Sequence, residues 1–222
     1  MMIEIQKFVF NPFQQNTYVV WDGSGECVII DPGCKTAKEQ DSLFSFIGGK
    51  GLKPAAILLT HGHLDHVFGV RAACEKYGIP AYMHPAEEAS IKEFNVQWAP
   101  AGMSFVDEFS YQPIADGQLL HFGNSNVRVL ATPGHSMGGV CYWFEAEGVL
   151  FSGDTLFAGS IGRTDNNWAS LDLLKKSLKE VLMALDGEID VLPGHGPVTS
   201  IGRERLLNPF INEEFGDLGY EM

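Results

Sequence analysis

Residues 60–66 read Thr60-His61-Gly62-His63-Leu64-Asp65-His66. Three imidazoles and one carboxylate fall within six consecutive residues, a density of metal-ligand chemistry that folding alone does not require. A polar loop that merely caps a helix needs one acceptor, whereas this stretch offers four candidate ligands. The preceding run, Ala55-Ala56-Ile57-Leu58-Leu59, is short and apolar, as a buried strand is, and Val67 to Tyr77 carries a helical apolar pattern. The motif therefore sits on the turn from a strand into a helix. There His61 and His63, two apart on extended backbone, point the same way, while Asp65 and His66 at the helix start turn toward a second position. Two metal positions suit that arrangement.

Two more histidines lie far along the chain in matching contexts. Val129-Leu130-Ala131-Thr132-Pro133-Gly134-His135 and Asp190-Val191-Leu192-Pro193-Gly194-His195 both read as a strand, a Pro-Gly corner and then a histidine. Proline ends a ladder and glycine accepts unusual backbone angles, so each imidazole is expected at a stiff strand end. Between them Val149-Leu150-Phe151-Ser152-Gly153-Asp154 is a further apolar strand ending on a carboxylate. Any one of these is an ordinary turn residue; together they draw five of the seven histidines into one site, leaving His84 and His121 as surface or strand-end residues.

Taken in order, THGHLDH, TPGHS, FSGD and LPGHG resemble the metallo-β-lactamase superfamily, over most of the chain. The resemblance implies an α/β fold, the four-layer αββα sandwich. It also implies that His61, His63 and His135 hold one metal, that Asp65, His66 and His195 hold another, and that Asp154 bridges them. The cofactors implied are two divalent transition-metal ions, zinc first, with iron or manganese also suited to imidazole and carboxylate. The segment from Gly153 to Asp165 (GDTLFAGSIGRTD) and Asn11-Pro12-Phe13-Gln14-Gln15-Asn16-Thr17-Tyr18 are similar to the glyoxalase II group. This narrower resemblance implies a thioesterase acting on S-2-hydroxyacylglutathione through a metal-bridging hydroxide. It aligns Arg163 with the family's lysine that contacts the glutathione carboxylate, which makes Arg163 the substrate-binding candidate; pairing with Asp165 is the alternative. Only 27 residues follow His195, so the family's full carboxyl-terminal helical domain is not expected, and residues 1–222 read as one domain.

Elementary chemistry agrees with a hydrolase. Two cations sharing a water lower its pKa from 15.7 toward roughly 7. Asp65 is then the catalytic candidate, able to ligate and to orient the nucleophile. No Gly-x-Ser-x-Gly elbow accompanies the histidines, and the four cysteines sit in no activating motif. A thiolate, whose conjugate acid has a pKa of about 8 to 9, leaves without a strong general acid. Other activities fit the same residues: a persulfide dioxygenase with one iron on His61, His135 and Asp154, a lactonase, or an RNA-processing nuclease.

Composition frames the site. A net charge of −13 disfavours nucleic-acid partners, and no apolar run reaches the eighteen residues of a membrane span; the partner that the glyoxalase II resemblance implies is a small-molecule thioester. The amino end lacks signal-peptide character, and Cys27 and Cys141 lie in apolar runs as reduced thiols would, so a cytoplasmic location is expected. Strands are expected near 3–10, 16–21, 26–31, 55–59, 80–84, 127–131, 139–144, 148–152 and 189–192, and helices near 36–47, 66–77, 85–93 and 169–185. The stretch from Phe94 to Asn126 gives no clear assignment and is expected to flank the site's mouth. The tail from Arg203 is expected to form one short helix.

Overall fold

The computed structural model of the chain describes residues 2–98 and 108–212. Strands β1 (Glu4–Phe10), β2 (Gln15–Trp21) and β3 (Glu26–Ile30) form an antiparallel meander that β4 (Lys53–Leu58), β5 (Ala81–Met83) and β6 (Tyr111–Pro113) extend in parallel. Parallel pairing requires crossovers. They are α1 (Ala37–Lys50), the pair α2 (Leu64–Val67) and α3 (Val70–Tyr77), and α4 (Glu87–Trp98). The second sheet contains β7 (Leu119–Phe122), β8 (Ser125–Ala131), β9 (Val140–Phe144) and β10 (Val149–Gly153). A small ribbon, β11 (Leu156–Phe157) and β12 (Ser160–Ile161), and helix α5 (Leu171–Lys176) follow. Then β13 (Asp190–Pro193) and β14 (Thr199–Ser200) complete the second sheet in the order β14-β13-β10-β9-β8-β7, and α6 (Ile201–Leu207) lies beyond it.

The layers follow from side-chain alternation along strands buried on both faces. Tyr18, Val20, Val28 and Ile30 point toward the second sheet and pack on Val129, Tyr142, Phe144 and Phe151. Their neighbours Val19, Trp21, Cys27 and Ile29 point the other way, onto Leu43 and Ile47 of α1 and Val70 and Ala73 of α3. On the far side, Cys141, Leu150 and Val191 pack against Leu174, Leu178, Leu182 and Ile201. Three apolar layers between helix, sheet, sheet and helix make the expected αββα sandwich. Among the described residues, no helix is long and apolar enough to cross a membrane.

Several local expectations change. The helix expected over 66–77 breaks between α2 and α3, because the Gly69 amide bonds to Pro32 O at 2.8 Å instead of continuing the first turn. The helix expected over 169–185 spans 171–182, with its second half, Ser177–Leu182, wound as a π-helix. Strands β6, β7, β11, β12 and β14 were not expected, being two to four residues long and too short to show a period. The tail helix starts at Ile201, capped by Ser200, whose Oγ accepts from Arg203 N. Of the unassigned stretch, residues 99–107 lie outside the described residues.

Phe151 meets Tyr18 and Phe144 edge-on, at ring centroids 5.0 and 5.5 Å away, in the middle of the inter-sheet layer. Phe151→Ala is expected to cost about 3–5 kcal/mol, the range for deleting a buried aromatic ring. Urea unfolding should show this as a lower midpoint with an unchanged slope.

Candidate metal centre

The candidate ligands collect at one end of the sandwich. His61 and His63 follow β4, Asp65 and His66 open α2, His135 follows β8, Asp154 follows β10 and His195 follows β13. Both Pro-Gly corners are anchored. Gly134 O accepts from Ser170 N at 2.7 Å and Pro133 O from Ser177 Oγ at 2.7 Å, and at φ 143° Gly134 lies against the Leu174 backbone with no room for a Cβ. Pro193 O accepts from Tyr18 OH at 2.7 Å and Asn16 Nδ2 at 2.9 Å, while Gly194 O accepts from Asn16 N at 2.7 Å.

Three overlapping groups of ligand atoms converge, one of Asp31, His61 and His66 and two made wholly of the expected ligands. His61, His63, His135 and Asp154 each bring one ligand atom within 4.8 Å of the others, and Asp65, His66 and His195 do the same. Asp154 stands between them: its Oδ1 is 3.3 Å from His66 Nε2, and its Oδ2 is 3.5 Å from His195 Nε2 and 3.6 Å from His135 Nε2. Asp65 Oδ2 lies 3.1 Å from His195 Nε2 and 3.7 Å from His66 Nε2. The structure therefore brings together all seven residues expected to ligate.

Hydrogen bonds behind the clusters select which ring nitrogen faces inward. The Nδ1 atoms of His135, His195 and His66 face Arg163 O at 2.8 Å, Phe13 O at 3.1 Å and Asp31 Oδ2 at 2.9 Å, which leaves each Nε2 for the centre. His61 Nδ1 lies 3.0 Å from Thr60 Oγ1, whose own proton goes to Asp31 Oδ2 at 2.6 Å. His63 is reversed, its Nδ1 lying 2.8 Å from His135 Nε2.

Asp31 is not among the residues singled out by sequence, since Asp31-Pro32-Gly33 is a sufficient turn on its own. Its carboxylate holds both Thr60, through N at 2.7 Å and Oγ1, and His66, and it stands at φ 48°, a conformation a non-glycine residue adopts at a cost. The Asn11–Thr17 segment braces the same region. Asn11 Nδ2 donates to Asp65 O at 3.0 Å, Gln15 Nε2 to Asp31 O at 3.1 Å and Thr17 Oγ1 to Asp31 O at 2.7 Å.

Two buried atoms, His61 Nε2 and Asp154 Oδ1, have no hydrogen-bond partner, which buried polar atoms rarely tolerate. Burial and the neighbouring imidazoles of His66 and His63 hold His61 well below the ordinary histidine range, and burial with His135 does the same to His63. Burial opposes charge on His66 too, but Asp154, Asp65 and Asp31 outweigh it and hold His66 well above that range. Asp154 is held far below the usual carboxylate range: burial opposes this, and His66, His61 and His195 outweigh it. The buried carboxylates and the imidazoles around them thus favour positive charge between the two clusters. Orphaned inward atoms, borderline N and O donors and charge demand all fit divalent metal ions.

A cavity of about 460 Å³ opens on this centre, walled by Phe13, Leu64, Phe157, Ile161 and Trp168. Arg163 lies on its rim and also lines an adjoining cavity of about 590 Å³ with Lys92, Asn167 and Trp168. The Arg163 guanidinium, 71% exposed, pairs with both Asp165 oxygens at 2.6 and 2.9 Å. His84 and His121 stand outside the two clusters.

Protein loaded with Zn²⁺ or Fe²⁺ is expected to hold about two ions per chain by elemental analysis, from the two clusters. His195→Ala, which strips one ligand from the second cluster alone, should lower the ratio to about one. A wild-type maximum of one ion would break the dinuclear reading.

The sequence profile described as the metallo-beta-lactamase superfamily matches residues 10–195. "Hydroxyacylglutathione hydrolase GloC" of Haemophilus influenzae is 33% identical over 205 residues, covering 91% of this chain and 95% of its own. Among solved structures, BLEG-1 B3 metallo-beta-lactamase superposes with a TM-score of 0.86 at 35% identity, over 94% of this chain and all of its own. TTHA1623, solved in a di-iron-bound form, superposes with a TM-score of 0.82 at 37% identity, over 92% of this chain and 99% of its own. The matched span runs from the end of β1 to the last candidate ligand, and the chain belongs to the metallo-β-lactamase superfamily, as a metal-dependent hydrolase.

Proposed function

We propose that the chain hydrolyses thioesters of the S-2-hydroxyacylglutathione type. The observation that carries this reading is the chemistry of the cavity floor. Apart from Arg163 at the rim, its acidic and basic groups are His63, Asp65, His135, Asp154 and His195, all candidate ligands. Ser160, the hydroxyl among the described lining residues, bonds to Ile161 O at 3.5 Å, with no histidine base beside it. Burial pushes the thiols of Cys27 and Cys34 up to about 12 and that of Cys141 up to about 11, so none of these serves as a nucleophile. Water is left as the attacking group. Two divalent ions bound here would supply hydroxide near neutral pH and polarise the acyl carbonyl.

The chain's own residues then have distinct tasks. Asp65 reaches the cavity while Asn11 fixes its backbone carbonyl, so its carboxylate can accept a hydrogen bond from the nucleophile and set its approach. Phe13, Phe157 and Trp168 form walls that exclude bulk water from the acyl group. Arg163, at the junction of the two cavities, meets a carrier carboxylate by exchanging it for Asp165. The likeness to GloC supports a glutathione thioester. The likeness to BLEG-1 favours a second reading, opening of a β-lactam at the same centre. A panel of acyl-glutathione thioesters and β-lactams separates them: kcat/KM at least ~100-fold higher on a β-lactam would overturn the thioesterase assignment.

Asp65→Asn keeps the side chain's size and removes its charge. Its kcat is expected to fall by at least ~100-fold, the scale of losing a positioned catalytic group. Full activity with both metals retained would remove Asp65 from the mechanism.

Arg163→Ala is expected to raise KM for a carboxylated thioester about fivefold and leave kcat nearly unchanged, the ~1 kcal/mol of a solvent-screened charge-assisted contact. A neutral thioester should show no change. Equal losses on both substrates would assign Arg163 to structure alone.

A further inference from the structure

Helix α4 begins with a carboxylate that faces inward. Glu87 is fully buried, an unusual place for a glutamate. Its Oε2 accepts from Gly62 N at 2.7 Å and from Ser90 Oγ at 3.0 Å, and its Oε1 accepts from Gly138 N at 2.6 Å. Gly62 separates His61 from His63, and Gly138 lies just beyond His135 on the next loop. One side chain thus ties the two loops that carry all three imidazoles of the first cluster, across sequence separations of 25 and 51 residues. Both partners are glycines at contacts too close for a side chain: a Cβ on Gly62 would stand 3.0 Å from Oε2, and one on Gly138 2.8 Å from Oε1.

We propose that Glu87 is a positioning residue for the metal position formed by His61, His63, His135 and Asp154. Its carboxylate sets the span between the two loops at which their imidazoles converge, seen in the 2.8 Å separation of His63 Nδ1 and His135 Nε2. Metal–ligand distances tolerate only about 0.2 Å, so a loop released by that much loses affinity. Both bonds go to backbone amides of the ligand loops themselves, so a shift of the carboxylate passes directly into ligand placement. The role concerns metal affinity and holds whatever the substrate is.

The test titrates the metal-free full chain with Co²⁺, following visible absorption and competition with a chromophoric chelator. Glu87→Gln keeps the volume but turns one acceptor oxygen into a donor, so one of the two glycine amides faces an N–H. One of the two Co²⁺ sites is expected to weaken about 10–100-fold with an altered absorption band, while the other keeps its wild-type affinity. In a His195→Ala background, where the first position alone fills, the loss must appear in the remaining site. Ser90→Ala, which leaves both glycine bonds in place, should retain both sites. Should Glu87→Gln not fold, Gly138→Ala, which presses on Oε1 from the second loop, is expected to give the same one-site loss. Unchanged Co²⁺ affinities and spectrum, with or without a lower melting temperature, overturn the proposal, as does equal weakening of both sites.

Discussion

Asp154 carries a negative charge into the sandwich between two groups of imidazoles, and this end of the molecule is arranged to make that charge tolerable. A carboxylate removed from water costs far more than a neutral group unless opposite charge and hydrogen bonds compensate. Here the backbone gives little help: Asp154 Oδ1 has no hydrogen bond, and the nearest donors are ring nitrogens 3.3 to 3.6 Å away. Asp65 and Asp31 add two more carboxylates within reach of His66. Three carboxylates among the imidazoles call for three positive charges, more than one divalent ion brings and within what two bring. Protons on His66 and His195 meet that demand only in part.

Because the ligands come from both sheets, the centre exists only while the sheets stay in register. Tyr18, on β2, donates to Pro193 O on β13, and Tyr142, on β9, donates to Leu59 O just past β4. Each bond joins one sheet to a ligand-bearing segment of the other, from a tyrosine ring packed in the apolar layer. Each tyrosine thus packs its ring in the apolar layer and hydrogen-bonds a ligand-bearing segment through its hydroxyl. That is a direct way for a core to impose sub-ångström order on a site, since packed rings have few alternative rotamers.

What the sequence revealed, and what it hid, follows from the range over which each feature acts. THGHLDH and the two Pro-Gly-His corners were legible because the ligand chemistry and the turn that aims it lie within seven residues of one another. Strands β2, β3 and β10 were legible as apolar runs buried on both faces, and β8 by its alternation. Asp31 was not, since Asp-Pro-Gly is a sufficient turn on its own, and its contact with His66 spans 35 residues. Glu87 was less legible still. In sequence it is one of two glutamates opening a helix, where acidic residues are favoured by the dipole, and nothing local distinguishes it from its exposed neighbour Glu88. The break at Gly69 was hidden for the same reason, its cause being the distant carbonyl of Pro32.

Arg163 joins the two scales. Its carbonyl fixes the Nδ1 of His135, so its backbone belongs to the metal centre, while its guanidinium reaches the rim and pairs there with Asp165. An exposed ion pair contributes at most about 1 kcal/mol, so giving up Asp165 for another carboxylate is nearly isoenergetic and the side chain is extended beforehand. In a chain with net charge −13, an anionic substrate is repelled at long range and needs local cations near the mouth. Arg163 and Lys92 both line the outer cavity, and only Arg163 also borders the centre. One residue thus links the two regions, its backbone carbonyl holding the His135 ring and its guanidinium standing at the cavity rim.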